Sequence, residues 1–424
     1  MATYDISTIK AREIIDNRGS PTIRAYVCVA DEFWGQADVP CGSSTGTYEA
    51  KELRDGDLRY GGKGVRKAIR HILEVIYPRL RGMDATRQRE IDDAMINLDG
   101  TNDKSNLGAN AILGVSLAVA RAAAAASRLP LYEYLNADAT VLPVPQACMI
   151  NGGIHAGNDL EFQEFCVMPV GADSFAVAVR MLCEIHQKLG EVLAKRFGRG
   201  ATNAGEDGGY APPAKSANEA MVALTDAVQQ AGYADQVLYG LDVAATHFYQ
   251  HQSGQYLVEG SKKNRQEMIE GLQQLVAEYP AIVSLEDPLH EDDFEGTRDI
   301  TKALDDLMII GDDLFTTNIH RLRRGVAEGA GNAVLWKMNQ IGSLTEALDV
   351  AAYAREHQYA VVVSERSGET EDDILSDITV ALNAGVIKTG GMRGSDRGSK
   401  YNRFMEIEEE LGSKAVYAGR SYKI

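Results

Sequence analysis

The sequence predicts an α/β protein in two parts: a smaller N-terminal α+β domain, then a larger barrel of alternating strands and helices. Three observations carry this. The chain is 424 residues long and 45% hydrophobic, enough for two cores rather than one. Its first quarter mixes alternating strand patterns with helical runs. Beyond Pro143 and Pro145, short apolar runs recur, each ending in a polar or charged residue and separated by helical sequence.

Taken in order, residues 22–29 and 33–39 alternate in polarity at period two, the mark of half-buried strands, while 65–76 and 109–126 carry helical spacing. Between them, CGSSTGTYEA at 41–50 and DGDLRYGGKG at 55–64 are glycine-rich loops. The 109–126 run is the most membrane-like in the chain. Asn110, Ser116 and Arg121 interrupt it and alanine dominates it, so a buried helix is expected, with no membrane partner.

Past the prolines come VLYGLD, AIVSLED, LMIIGDD, AVLWKMN, YAVVVSER and AGVIKTG. Continuous apolar strands alternating with helices give a parallel sheet covered on both faces. The residues that close them, Asp242, Glu286, Asp312, Lys337, Arg366 and Lys388, are 44, 26, 25, 29 and 22 positions apart. That is the stride of βα units in a barrel. The first two barrel strands, near 146–150 and 164–169, are followed by helical sequence over 174–197 with no strand between. An irregular start is expected.

A net charge of −18, with no clustered Lys and Arg, excludes nucleic acid as a partner. An anionic substrate would need local cations to overcome that background. Five scattered cysteines without a CxxC pair suit reduced thiols in a cytoplasmic protein. The N-terminus is charged within its first dozen residues and shows no apolar core of leader length.

Strand C-termini converge on one mouth of a βα barrel, which brings three acids and three cations together. Asp242, Glu286 and Asp312 offer hard carboxylate oxygens with no His or Cys among them, a set that favours magnesium. Each acid alone could be a helix cap or a surface charge. Lys337 and Lys388 emerge from apolar runs, where desolvation and neighbouring positive charge lower a lysine toward a general base. Salt bridges to the same acids are a compatible alternative. A Schiff-base lysine is a third, and the acid triad counts against it.

The segments VPCGSSTGTYEA, LDGTNDKSNLGANAILGVSLAVARA, INGGIHAGN, FQEF, AIVSLEDP, IIGDDLFTTN, KMNQIGSLTEA, SGETEDD, VIKTG and YNRFMEIEEELG resemble enolases, in the family's order and at its spacing, from residue 4 to 424. The resemblance implies an N-terminal α+β capping domain (1–135) on an irregular (β/α)8 TIM-type barrel (143–424), assembled as a homodimer or higher oligomer. It implies a magnesium-dependent hydro-lyase, phosphopyruvate hydratase. The substrate is a small phosphorylated carboxylate, 2-phospho-D-glycerate, dehydrated to phosphoenolpyruvate in glycolysis through an enediolate.

Position by position, the resemblance puts one Mg²⁺ on Asp242, Glu286 and Asp312, and a second, arriving with substrate, near Ser44 of the capping loop. Lys337 matches the base that takes the C2 proton, and Lys388 the lysine beside the substrate carboxylate. Arg366 and Ser367 match the phosphate-binding pair, for which a guanidinium fork is well shaped. His155, Gln163 and Glu164 match groups around the substrate and its leaving hydroxyl.

Three departures from the pattern stand out. The family's GDEGG turn reads Gly205, Glu206, Asp207, Gly208, Gly209, so Asp207 stands where the glutamate that protonates the leaving group is expected. It is about 1 to 1.5 Å short, and a misplacement of that size costs on the order of a hundredfold in rate. Glu365 stands where the family carries histidine before the arginine, and Tyr48 replaces a histidine of the capping loop. These changes leave Asp207, Glu206 and Glu164 as alternative proton donors. They also open a second reading, the same chemistry on a modified phosphoglycerate or phosphonate, and a third, a non-catalytic binding protein.

Overall fold

The computed structural model describes residues 4–423; residues 1–3 and 424, which the sequence ranges above include, lie outside them. The N-terminal part is an antiparallel three-stranded meander, Ile6–Ile15, Pro21–Val29 and Phe33–Asp38. The first of these strands escapes a pattern search because Lys10, Arg12 and Glu13 break its alternation and only Ile6 and Ile9 are buried. The helix Ala109–Ser127 lies across the other two strands. Its approach depends on glycine: a Cβ on Gly35 would come 2.1 Å from the Ala118 carbonyl oxygen. This is the helix of membrane-like composition, and 83% of its most apolar stretch is buried within the protein.

The second part is a barrel of eight strands among the described residues, with the first strand bent into two pieces. Val144–Pro145 pairs with Val386–Lys388, and Ala147–Asn151 pairs with Glu164–Met168. Gln146 between them donates its N–H to the Ile387 carbonyl at 2.8 Å. The ring runs through Leu238–Asp242, Ile282–Glu286, Met308–Gly311, Ala333–Trp336 and Ala360–Ser364.

The expected irregularity is at the start. Glu164–Met168 runs antiparallel to both neighbours. A parallel crossover is usually a helix, and the connection from Asn151 to Glu164 forms only a short 3₁₀ turn, Gly153–His155, and loop. Two helices, Phe175–Phe197 and Ala217–Ala231, then follow together before Leu238–Asp242. The long stride from Asp242 to Glu286 has a local cause as well, a small antiparallel sheet of Tyr249–Gln250, Gln255–Val258 and Ser261–Lys263.

The parallel strands are buried on both faces, as their apolar runs require. Met308, Ile310, Ala333, Leu335, Val362 and Val386 form one apolar cluster. Their neighbours Ile309, Val334, Trp336, Val361, Val363 and Ile387 join the larger core. Period two sends alternate residues to the barrel interior and to the surrounding helices. With the interior filled by side chains, the strand ends form a shallow mouth. The capping domain lies over it.

Candidate active site

Strand direction explains which residues reach the mouth. Asp242, Glu286 and Lys388 are the last residues of their strands, and Asp312, Lys337 and Glu365 stand one position past theirs. Glu164 opens its strand, yet arrives at the same end because that strand is reversed and pairs Glu164 with Asp242. All of these side chains are buried.

The acids and lysines are tightly interlocked. Lys388 Nζ donates to Glu286 Oε2 at 2.7 Å and Asp242 Oδ2 at 2.9 Å, with Glu164 Oε1 at 3.5 Å. Lys337 Nζ donates to Asp312 Oδ2 at 2.6 Å. Gln163 Nε2 donates to Asp242 Oδ2 at 2.9 Å and Gln340 Nε2 to Asp312 Oδ1 at 2.7 Å. Salt bridging, the compatible alternative for the lysines, is therefore present.

Behind Asp312, Asp287 accepts the backbone N–H groups of Asp312 and Asp313. Thr316 and Thr317 both hold a left-handed φ, of 47° and 48°. That conformation is costly for β-branched residues and is retained where surrounding contacts over-determine it. Thr317 Oγ1 accepts the Lys337 N–H at 2.9 Å and donates to Gln340 Oε1 at 2.7 Å. Thr317 thereby anchors the backbone of the lysine whose Nζ meets Asp312.

Carboxylates outnumber the cations, and the protonation equilibria reflect it. Burial and nearby Asp242 push Glu286 well above the usual carboxylate range, and burial with Asp312 pushes Asp287 up to about 8. Burial also raises Glu164, against the pull of Lys388. The lysines depart from the expected lowering. Burial alone would depress Lys337, but Asp312 at contact distance more than offsets it and holds the ammonium above its ordinary value. Lys388 is raised likewise by Asp242 and Glu164.

Three strand-end carboxylates with surplus negative charge and no soft ligand are a donor set suited to a hard divalent cation. The tightest acid groupings include only one of the three. Ligand atoms approach within 4.8 Å of one another in Asp287, Asp312 and Asp313 and in His155, Glu164 and Asp207.

The opposite side of the mouth holds the remaining residues. Arg366 makes a two-pronged contact with Glu49, at 2.9 and 3.1 Å, and donates to Asn339 Oδ1 and to the Ser44 carbonyl. Ser367 Oγ accepts the Ser43 N–H at 2.9 Å and one Arg18 nitrogen at 3.2 Å. The capping loop is thus drawn down by the residues matched to phosphate binding. A Cβ on Gly42 would lie 1.9 Å from Arg366 Nη2. Tyr48 clamps the loop from outside, donating to Asp292 Oδ1 at 2.9 Å beneath the Arg321 guanidinium. The enclosed space is only about 20 Å³, less than a phosphorylated three-carbon acid occupies.

The exchanged acids of the 205–209 turn have separate partners. Glu206 Oε2 accepts from Ser43 Oγ of the capping loop at 2.6 Å. Asp207 Oδ2 lies 2.6 Å from His155 Nδ1 and accepts from Asn151 Nδ2 at 2.8 Å, while His155 Nε2 is 3.2 Å from Ser44 Oγ. Burial would raise Asp207, but His155 and Arg397 pull it below the usual carboxylate range. Asp207 is thus an engaged acceptor, which weakens its expected part as proton donor. Glu365 does not pair with Arg366; its partner is Arg397, whose Nη1 lies 2.7 Å from Glu365 Oε2.

The mouth therefore gathers every residue to which the sequence points. Arg18, Glu49, Asn151, Gln340 and Arg397 join them without a signal of their own. Glu49 lies inside the quoted loop motif, and Gln340 three positions after Lys337. Arg18 and Arg397 reach the site only through the tertiary fold.

Comparison with known proteins accounts for nearly the whole chain. The family model described as "Enolase, N-terminal domain" matches residues 6–135, and that described as "Enolase, C-terminal TIM barrel domain" matches 139–424. The enolase of Methanocaldococcus jannaschii is 53% identical over 421 residues, 99% of this chain and 98% of that protein. That of Methanococcus vannielii is 52% identical over 423 residues, 100% and 99%. That of Thermococcus kodakarensis is 51% identical over 424 residues, 99% and 98%.

Proposed function

This chain belongs to the enolase family, and from that premise we propose that it dehydrates 2-phospho-D-glycerate to phosphoenolpyruvate, as a glycolytic phosphopyruvate hydratase. The observation that carries the reading is the pairing of Lys337 with Asp312 and of Lys388 with Asp242 and Glu286 at one barrel mouth. Arg366 and Ser367 stand across from them.

Asp242, Glu286 and Asp312 would hold one Mg²⁺, and Ser44 would assist a second that comes with substrate. Bound there, the metal would supply positive charge that neutralises the buried carboxylates keeping Lys337 charged and offsets the negative charge building on the substrate carboxylate, the pairing of a lysine base with magnesium by which enolase-superfamily sites are generally known. Lys337 Nζ takes the C2 proton. Lys388 lies beside the substrate carboxylate, and Arg366 and Ser367, released from Glu49 and Ser43, take the phosphate. As C2 and C3 form their double bond, the C3 hydroxyl leaves as water with a proton from Glu164. The hydrogen-bond pattern supports that choice. Asp207 is committed to His155 and Asn151 by short hydrogen bonds, whereas Glu164 has only longer contacts, with Cys166 Sγ at 3.4 Å and Lys388 Nζ at 3.5 Å. His155 and Gln163 complete the pocket.

No observation favours a modified phosphoglycerate or phosphonate. One of its motives was the added carboxylate Glu365 beside Arg366, and Arg397 pairs with that carboxylate. Assembly as a homodimer or higher oligomer and a cytoplasmic location belong to the same proposal and rest on the family resemblance. Purified protein given 2-phosphoglycerate with and without Mg²⁺ should release phosphoenolpyruvate only with the metal. A protein that exchanges the C2 proton but releases none would sink the assignment of substrate.

A further inference from the structure

Glu365 and Arg397 take no part in the steps above. Glu365 follows the strand Ala360–Ser364 and is 6% exposed; Arg397 lies in the first turn of the helix Ser395–Leu411 and is 1% exposed. Their nearest atoms are 2.7 Å apart but lack the alignment of a hydrogen bond, and Arg397 Nε has no partner among the described residues. Burying two opposite charges in such an arrangement is expensive relative to apolar packing. Packing alone therefore does not account for the pair.

What the pair holds together does. Arg397 Nη2 donates to the Ser367 carbonyl at 3.1 Å and to the Glu206 carbonyl at 3.2 Å, and lies 4.0 Å from Asp207 Oδ1. One guanidinium ties the strand end that carries Arg366 and Ser367 to the turn that carries Glu206 and Asp207. Glycine makes the room. A Cβ on Gly390 would come 2.2 Å from Glu365 Oε1 and 2.9 Å from Arg397 Nε. Its φ of +74° is one that glycine adopts freely.

We propose that Glu365 and Arg397 are a pair of positioning residues for the second half of the reaction. Together they set the separation between the phosphate-holding segment and the carboxylates around the leaving hydroxyl. The inference rests on the functional reading above and adds to it a device at the leaving-group end. The proton-abstracting end is fixed independently, since Lys337 is held by Asp312 and Thr317. Among the described residues neither Glu365 nor Arg397 hydrogen-bonds to that group. Disturbing the pair should separate the two halves of the reaction.

The test compares the wild type with Glu365→Gln, Arg397→Lys and the double variant Glu365→Gln/Arg397→Gln. Each is assayed for dehydration of 2-phosphoglycerate and for deuterium exchange at C2, with thermal unfolding as the check on folding. Dehydration kcat should fall about tenfold or more in each single variant, the effect of a displacement under about 1 Å. Exchange should stay within about threefold of wild type. The double variant should lose no more than the worse single one, because the two residues act as a unit. If Arg397→Lys does not fold, the double variant, which removes both members of the buried pair, takes its place. Equal loss of exchange and dehydration, or undiminished dehydration in the variants, overturns the proposal. A wild type that releases no phosphoenolpyruvate overturns the functional reading, and the positioning inference with it.

Discussion

Exchanging the acids of the 205–209 turn, by Glu206→Asp with Asp207→Glu, restores the order usual in the family, and the structure predicts that it slows the enzyme. Asp207 is 3% exposed, with His155 and Asn151 at 2.6 and 2.8 Å from the same oxygen. One more methylene adds about 1.5 Å of reach and drives the carboxylate into the imidazole. Overpacking of this kind costs about 1 to 3 kcal/mol. Shortening Glu206 by the same length breaks its 2.6 Å hydrogen bond with Ser43. Because the Glu206 side chain is 36% exposed, that loss is set near the low end for a charged hydrogen bond, about 1 kcal/mol. Together the two cost about 3 kcal/mol of stability, and displacing the turn's carboxylates by about 1 Å lowers kcat/KM on the order of a hundredfold. Steady-state kinetics on the double and both single variants, following phosphoenolpyruvate formation, measures it. A double variant faster than wild type would refute the reasoning, because the turn would then be an impaired copy of the family's and not one refitted around Asp207.

Lys337→Ala should abolish both dehydration and C2 exchange, by about 10²- to 10⁴-fold as for loss of a general base; retained exchange would place the base elsewhere. Glu164→Gln should lower dehydration by a similar factor while exchange at C2 persists, and equal loss of both would return the donor role to Asp207 or Glu206. Chelation of divalent cations should remove activity and added Mg²⁺ restore it, whereas activity unaffected by chelation would exclude the metal from the reaction. His186, buried against Tyr210, is lowered by burial to about 4 from its ordinary 6.5. The unfolded chain therefore takes up this proton first, so stability falls as pH drops from about 6.5 to about 4, by about 3 kcal/mol. His186→Gln should remove that part of the slope in denaturant unfolding, and a wild-type-minus-variant difference that does not change with pH would refute it.

The barrel strands were legible because each is a continuous apolar run closed by a polar residue, and a strand covered on both faces admits little else. The strand Ile6–Ile15 was not, because its exposed positions follow no alternation. The reversed strand at Glu164 was half legible: the missing strand over 174–197 announced an irregularity, but nothing local states direction. Motif order sufficed for the family, and the acids Asp242, Glu286 and Asp312 and both lysines that those motifs single out meet at one barrel mouth.

Partnership was decided only in three dimensions. From the sequence, Glu365 reads as an extra charge beside Arg366 and Asp207 as a shortened acid. In the fold, an arginine 32 positions further along pairs with the first, and His155 with Asn151 engages the second. The same limit applies to Lys337. Its apolar flanks imply a lowered pKa, whereas Asp312, 25 positions earlier in the chain, raises it. Local sequence reports burial, because burial follows from a residue's own neighbours along a strand. The sign of a buried charge's environment depends on groups delivered by other strands, at distances where Coulomb interactions rival desolvation. Family membership was therefore determined by the sequence alone, and the protonation and pairing of the buried charges by the barrel's closure.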